Sequence, residues 1–471
     1  MSSLVSIIFS RNKDNVIGVD NDLLTKIPSD LRRFKNITKN NALIMGYNTW
    51  MSLPKKPLPN RLNIVLSKKH KMDIEESDEV HVCSSIEEAI HFVDRKIYPK
   101  IFVIGGSNVF KELLDKHSEK IDCVYETITD TPYEPVDGEC VHNFDPKKIQ
   151  QGKHYLIIKS ENVSGEVKGE HVEDISCQFN IFQSKSNVNW LEYEYLHKLR
   201  YIREYGTAKG SRNSEVLSSF GEKMTFDLRL GFPLLTTKKM GWKTILRELL
   251  WFISGSTSNK VLQSKNVHIW DQNASKEYMN TRGLSYEEGD LGPIYGFQWR
   301  HFGDTYMGMD HNHTGGVDQI KEVIRLIKEE PTSRRIILSA WNPCDLDKMS
   351  LPPCHILTQF NIEGKYIDAQ LYQRSGDMFL GVPYNIASYS MLLHIIGKIT
   401  GYIPRFLHHV IGDCHIYKSH VDAVDLQIYR VPHPPPTIEI SDISDIDKVS
   451  EEDIRIINYT SDPTIRANMI V

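Results

Sequence analysis

Leu351-Pro352-Pro353-Cys354-His355 opens a run, Ile356 to Ile362, that reads as a β-strand. A cysteine in a strand is ordinarily an inert core residue. Its surroundings point elsewhere: Arg334-Arg335 lie upstream, and Arg374-Ser375-Gly376-Asp377 fall on the next strand. Guanidinium groups near a thiol lower its pKa and raise the thiolate fraction. They also hold phosphate through planar, bidentate hydrogen bonds. A thiolate beside an arginine clamp suits covalent attack on a phosphorylated small molecule.

The pattern continues outward from that cysteine. Gly381-Val382-Pro383-Tyr384-Asn385 supplies an amide that both donates and accepts, or else a cap or turn residue. Gly412-Asp413-Cys414-His415-Ile416-Tyr417 sets His415 and Tyr417 on one face if the segment is a strand; His415 reads equally as a satisfied core histidine. Upstream, Ile245, Leu246, Leu249, Leu250, Phe252 and Ile253 make an apolar helical stripe with Glu248 at its edge. That carboxylate is either solvated or faces a cleft, where desolvation raises its pKa. Asp310, His311 and His313 sit in a stretch read as a loop, without further ligands at zinc-site spacing, so no metal is expected.

The first third of the chain has a different texture. Leu4 to Phe9, Ala42 to Met45, Asn63 to Leu66 and Lys100 to Ile104 read as strands. Ser29 to Ile37, Ile86 to Val93 and Val109 to Leu114 read as helices, which makes an α/β alternation with a largely parallel sheet. Two further strands follow, Tyr155 to Ser160 and Cys177 to Gln183, with the segment between them read as a long hairpin loop. The polar stretch Ser184 to Asn189 marks a boundary: a domain over 1–184, a short linker over 185–189, and a larger domain over 190–471 opened by a helix from Tyr193 to Tyr205.

Composition bounds the function. Apolar residues make up 40% and charged residues 25%, as in ordinary globular proteins. A net charge of −5 offers no basic excess for nucleic acid. The seven cysteines include no CxxC pair, which argues against a disulfide framework and for a reducing cytoplasm. Met1 to Ser10 lacks the basic start and cleavage pattern of a signal peptide. No window reaches the roughly 18 to 20 apolar residues that span a bilayer, so no membrane partner is expected.

In this order, the C-terminal motifs resemble the thymidylate synthase family across nearly all of residues 190–471. Phe232-Pro233-Leu234-Leu235-Thr236-Thr237-Lys238-Lys239, Glu248-Leu249-Leu250-Trp251-Phe252 and Asp290-Leu291-Gly292-Pro293-Ile294-Tyr295-Gly296 extend the match. The resemblance implies an α+β domain in which Cys354 adds to C6 of dUMP. C5 then becomes nucleophilic toward the methylene of 5,10-methylenetetrahydrofolate. It implies Arg374 and Ser375 at the phosphate, joined by Arg334 and Arg335 from the other subunit of a homodimer. Asn385 would select uracil, and His415 and Tyr417 would hold the ribose hydroxyl. Glu248 would organise proton transfer through ordered water, supported by Tyr295 and His355. Trp270 and the Asp377 backbone would line the folate site, Asp377 also reaching the dUMP site, and Met469-Ile470-Val471 resembles a closing tail. The family's usual Arg-Thr-Gly run is Ser211-Arg212-Asn213-Ser214-Glu215 here, which leaves Arg212 as a phosphate candidate spaced one residue short of Phe220. Gly376 stands where many relatives have a cysteine.

The N-terminal region carries a second set of residues. Lys100-Ile101-Phe102-Val103-Ile104-Gly105-Gly106-Ser107 runs a buried strand into glycines before a helix. Such a junction either makes a tight turn or lets phosphate approach backbone N–H groups. It is not the GxGxxG fingerprint. Asp30 falls at a helix start, where an acid is favoured in any case. With Ile17-Gly18, Asn21, Phe34, Ile44-Met45-Gly46, Thr49-Trp50, Ser52-Leu53, Leu58-Pro59, Arg61 and Thr127, these residues resemble the dihydrofolate reductase family over about residues 3–184. The resemblance implies that Asp30, backed by Thr127, bonds the pterin and assists protonation at N5, with NADPH as hydride donor. Phe34 and Leu53 would flank the folate, and Arg61 would bind its α-carboxylate. Gly18, Gly46, Thr49 and the Gly105-Gly106 turn would form the cofactor side. Ser67 and Lys68 would receive the 2′-phosphate, unless Lys68-Lys69 is a solvated basic run. Three positions depart from the family: Leu23-Leu24-Thr25 lacks the usual tryptophan, Tyr47 replaces a basic residue, and Phe110 replaces a tyrosine.

The two resemblances form a chemically coherent pair, since the synthase releases dihydrofolate and the reductase regenerates tetrahydrofolate. The alternative is a synthase whose N-terminal module only binds folate or supports assembly.

Overall fold

Short, nearly unbroken apolar runs such as Ala42-Leu43-Ile44-Met45 form strands buried on both faces, as a parallel sheet covered by helices requires. The computed structural model describes residues 4–94, 98, 100–146, 155–167, 173–210 and 214–470, so Arg212 and Val471 lie outside the described residues. Two units divide the chain, Met1–Val188 and Asn189–Val471.

In the first unit the strands are β1 (Val5–Asn12), β2 (Val16–Val19), β3 (Asp22–Leu23), β4 (Ala42–Gly46), β5 (Leu62–Leu66), β6 (Val80–Cys83), β7 (Ile101–Gly105), β8 (Ile121–Thr129), β9 (Val141–Asn143), β10 (Tyr155–Val167) and β11 (Glu173–Ser184). The main sheet runs β10-β11-β8-β1-β7-β4-β5-β6 and is parallel from β8 to β6. Strands β10 and β11 add an antiparallel hairpin at the β8 edge. Ile86, Ala89, Ile90 and Val93 from one helix and Phe110 and Leu113 from another close over Val5, Ile7, Ile44 and Ile64 in one core. A helix, Pro28–Thr38, begins with proline at its first turn, where the missing N–H costs nothing, and carries Asp30 in that turn.

Two expectations change here. The segment read as a long hairpin loop is mostly strand: pairing continues from Tyr155↔Ser184 to Val167↔Glu173. Backbone pairing in an outer hairpin needs no buried face, so the residues after Ser160 carry no clean alternation to read. Strand β8, absent from the sequence reading, sits beside β1 with Ser10 opposite Thr127.

The second unit is built on β12 (Thr207–Gly210), β13 (Glu215–Asp227), β14 (Ile337–Ser339), β15 (His355–Glu363), β16 (Tyr366–Asp377) and β17 (Ile403–Tyr417), in the order β12-β13-β17-β16-β15-β14. Of these pairs only β16 and β17 run parallel, with Ser375 opposite Asp413 and Asp377 opposite His415. A parallel pair demands a long crossover. The helix Gly381–Thr400 supplies it, is buried on nearly every side, and stops at Gly401, whose φ of 82° few other residues adopt. A second helix, Trp190–Tyr205, is capped by Asn189, whose side chain accepts from the Glu192 N–H at 3.1 Å. Glu192 in turn sits 2% exposed, accepting from both backbone N–H and hydroxyl of Thr236 and of Thr237. Among the described residues no helix is long and apolar enough to cross a membrane.

Candidate active sites

Cys354 stands just before β15, fixed at both ends of its peptide units. Its N–H donates to the Tyr295 hydroxyl at 2.7 Å, and its carbonyl accepts from the Arg374 N–H at 2.8 Å. The Arg374 side chain bonds the carbonyls of Pro353 (2.8 Å) and Pro352 (2.9 Å) and brings Nη2 to 3.9 Å from the thiol sulfur. The sequence reading expected arginine to lower the thiol's pKa. Arg374 does act in that direction, but burial is the larger effect and the thiol is pushed up overall. Desolvation outweighs a single guanidinium approached at the edge of hydrogen-bond reach.

His355, the next residue, is 7% exposed and stacks on the Tyr295 ring with centroids 4.2 Å apart. Its Nδ1 meets the Tyr389 hydroxyl at 2.6 Å, and burial holds its pKa down to about 3, so the imidazole is neutral. Glu248 lies on the helix Trp242–Ile253 and accepts the Trp270 indole N–H at 2.7 Å. Of its two readings, the cleft-facing one holds: burial raises Glu248 to about 7 against that hydrogen bond.

Opposite these residues, Asn385 sits in the first turns of the crossover helix and its Oδ1 accepts from Gln373 Nε2 at 3.1 Å. Gln373 also bonds the Ser375 carbonyl (2.9 Å) and meets His409 Nε2 (2.8 Å), which orients the amide. Asp377 ends β16 by accepting from the N–H groups of Phe379 and Leu380. His415 and Tyr417 share one face of β17, their rings edge-to-face with centroids 5.2 Å apart. Arg334 and Arg335 are exposed, and among the described residues neither bonds Cys354. Sequence reasoning missed Gln373, His409 and Tyr389. A fully polar side chain at an inward strand position was the available signal for the first two.

In the first unit, Asp30 Oδ1 accepts from the Thr127 hydroxyl at 2.6 Å, and burial pushes its carboxyl up against that bond and the charge of Arg33. Arg61, 6% exposed, is clasped by Thr38 Oγ1 (3.0 Å) and the carbonyls of Pro59 and Lys35, with its guanidinium 5.8 Å from the Phe34 ring centroid. Leu53 caps the helix Tyr47–Ser52. Gly18 tolerates no side chain, since a Cβ there would lie 2.3 Å from the Asp22 carbonyl oxygen. A Cβ on Gly105 or Gly106 would meet Thr49 Oγ1 at 3.4 or 3.3 Å, and one on Gly46 would meet Val109 at 3.2 Å. These three glycines and Thr49 thus form a close cradle of bare backbone, the shape a phosphate group fits. Ser67 Oγ accepts from the His70 N–H at 2.9 Å, and Lys68 is exposed. Phe110 is buried between Phe9 and Phe144, Tyr47 stacks on His70, and Thr25 donates to Thr131 Oγ1. Among the described residues no group of three or more His, Cys, Asp or Glu side chains is placed to hold a metal ion.

One unit thus carries a thiol beside Arg374, and the other a part-buried acid bonded by Thr127 together with a glycine cradle, which fits an enzyme with a candidate site on each unit. The family profile for thymidylate synthase matches residues 193–471, and that for dihydrofolate reductase matches residues 4–153. A bifunctional dihydrofolate reductase-thymidylate synthase of Zea mays is 41% identical, covering 99% of this chain and 96% of the maize protein. Proteins of the same description from Paramecium tetraurelia (38% identical, 99% of this chain and 98% of theirs) and Leishmania major (37%, 99% and 95%) match over a similar span. The chain belongs to the bifunctional dihydrofolate reductase–thymidylate synthase family, with both enzymatic domains present. It is a methyltransferase and an oxidoreductase acting on small molecules, and a non-catalytic N-terminal module is not favoured.

Proposed function

We propose that the two centres act in sequence on one folate pool, with the side chains described above in the following roles. In the second unit Cys354 adds to C6 of dUMP, forming a carbon–sulfur bond and making C5 nucleophilic toward the methylene of 5,10-methylenetetrahydrofolate. Arg374 and Ser375 hold the phosphate, with Arg212 and with Arg334 and Arg335 from a second subunit of a homodimer. The exposure of Arg334 and Arg335 supports this sharing, because neither is engaged with its own chain's thiol. Asn385, oriented by Gln373, reads the uracil edge, while His415 and Tyr417 hold the ribose hydroxyl. Glu248, with a pKa near 7, exchanges protons through water near Tyr295 and neutral His355. Trp270 and Asp377 line the folate side, and Val471 belongs to the closing tail.

In the first unit Asp30 and Thr127 bond the pterin and keep a proton available toward N5. Phe34 and Leu53 flank the ring, and Arg61 takes the α-carboxylate with the N–H groups its backbone partners leave. NADPH, when bound, supplies the hydride. Gly18, Gly46, Thr49, Gly105 and Gly106 hold it, with Ser67 and Lys68 toward the 2′-phosphate. The cradle of backbone at Gly46 and Gly105-Gly106 fits such a group. The proposed location is the cytoplasm, a reducing compartment in which the Cys354 thiol stays reduced.

The observation that carries the proposal is the pairing of Cys354 with Arg374, 3.9 Å from sulfur to Nη2, in a peptide held by Tyr295. The test is a coupled assay on the whole chain. Supplied with dUMP, methylenetetrahydrofolate and NADPH, it should form dTMP and oxidise NADPH in equal amounts. Formation of dTMP with no NADPH oxidation would sink the reductase assignment. NADPH oxidation from added dihydrofolate without dTMP formation would sink the synthase assignment.

A further inference from the structure

Arg33 lies one turn beyond Asp30 on the helix Pro28–Thr38 and is only 7% exposed. Its Nη1 donates to Thr127 Oγ1 at 2.9 Å, and its Nη2 reaches the Asn180 carbonyl at 3.4 Å. Its guanidinium carbon stands 4.5 Å from the centroid of the Phe179 ring. A guanidinium taken this far from water needs a counter-charge. The neighbouring Glu126 is already bonded by Arg11 Nε at 2.7 Å and by Asn180 Nδ2 at 3.0 Å. Asp30 is the carboxylate placed on the other side of Thr127.

A hydroxyl has one proton and two lone pairs. Arg33, which only donates, occupies a Thr127 lone pair, so the Thr127 proton is free to point at Asp30 Oδ1, 2.6 Å away. We propose that Arg33 is a positioning residue for the reductase: it locks the Thr127 hydroxyl as a donor to Asp30 and fixes that carboxylate in its pterin-facing orientation. This rests on the catalytic role of Asp30 given above.

The relay favours the ionised carboxylate twice, through a hydrogen bond and through a buried positive charge. Both act against the burial that raises Asp30. Groups on the neighbouring strands do not supply the same effect. On β11, the Cys177 thiol is pushed up by burial and by Asp30 itself, and so stays neutral. On β8, Glu126 is held by Arg11 and Asn180. From β10, Val163 packs against Ile27, Cys177 and Phe179 and brings no charge.

The test compares the full-length chain with Arg33→Met, Arg33→Lys and Thr127→Val. Two readouts are followed against pH: kcat/KM for dihydrofolate, and dihydrofolate Kd without NADPH from tryptophan fluorescence. In Arg33→Met the inflection of both should move up by about one unit. Arg33→Lys keeps the charge and should stay close to the unaltered chain; Thr127→Val, which cuts the relay but leaves Arg33, should move part of the way. An Arg33→Met profile that overlays the original, or Arg33→Lys moving as far as Arg33→Met, overturns the inference. If Arg33→Met does not fold, an unmoved Thr127→Val profile overturns it instead. An unaltered chain that binds dihydrofolate but never reduces it overturns the catalytic reading of Asp30, while the Kd profiles still decide the role of Arg33.

Discussion

The indole N–H of Trp270 points at Glu248 Oε1 across 2.7 Å, and it is the hydrogen bond that opposes the burial of this carboxylate. With Glu248 raised to about 7, the group is mostly protonated at pH 6 and mostly ionised at pH 8. The kcat/KM profile for dTMP formation should therefore bend near pH 7. Trp270→Phe removes a bond that favours the charged form, so the bend should move up by about one unit. Profiles that superimpose would mean the indole does not tune Glu248.

Arg374 is the cation that pulls the Cys354 thiol down against its burial. Arg374→Gln should raise the pH midpoint of Cys354 alkylation by about one unit, read by mass spectrometry of the labelled peptide. A fluoro-dUMP adduct on the unaltered chain should map to Cys354. An adduct on any other cysteine would remove it as the nucleophile.

Glu192 accepts from four donors on Thr236 and Thr237 while almost wholly buried. Glu192→Ala strands those donors and should cost the Asn189–Val471 unit about 3 kcal/mol. Glu192→Gln should also destabilise, since its NH₂ would face N–H and O–H donors. Urea unfolding of the alanine variant at the original midpoint would contradict this.

Because Arg334 and Arg335 are assigned to a partner's site, Cys354→Ala and Arg334→Ala chains should complement when mixed. One of the two sites in a heterodimer would then be intact. Heterodimers confirmed by native mass spectrometry yet devoid of dTMP formation would place both residues in one chain's site.

What the sequence disclosed follows the physics of burial. Ala42 to Met45 and the strand before Gly105-Gly106 were legible because strands buried on both faces must be apolar throughout. The lengths of β10 and β11 were not, because an outer hairpin imposes no such pattern. Cys354, Arg374, His415 and Asp30 stood out as candidates because the motifs around them resemble the two families, not because any one of them is distinctive alone. The depth of Glu248 was left open between two readings, since an edge position on a helical stripe does not say what closes over it. Gln373 and Tyr389 act on Asn385 and His355 from other elements, and only the tertiary fold reveals such partners. The net direction of the Cys354 shift was not legible, because sequence shows the arginine but not the loss of water.

Strands β16 and β17 travel the same way, so Asp377 and His415, opposite each other in register, arrive at one rim of the sheet. Were β17 reversed, its final residues would emerge at the far rim. The heading of the polypeptide thus gathers the Arg374–Asp377 and Asp413–Tyr417 groups that sequence separation keeps apart. The helix Gly381–Thr400 acts as the return stroke: it carries the backbone to the starting rim so that the second pass can finish beside the first. Spacing between the two sets of groups is then ruled by the interval between neighbouring strands, a repeat of about 4.8 Å that no rotamer change can alter.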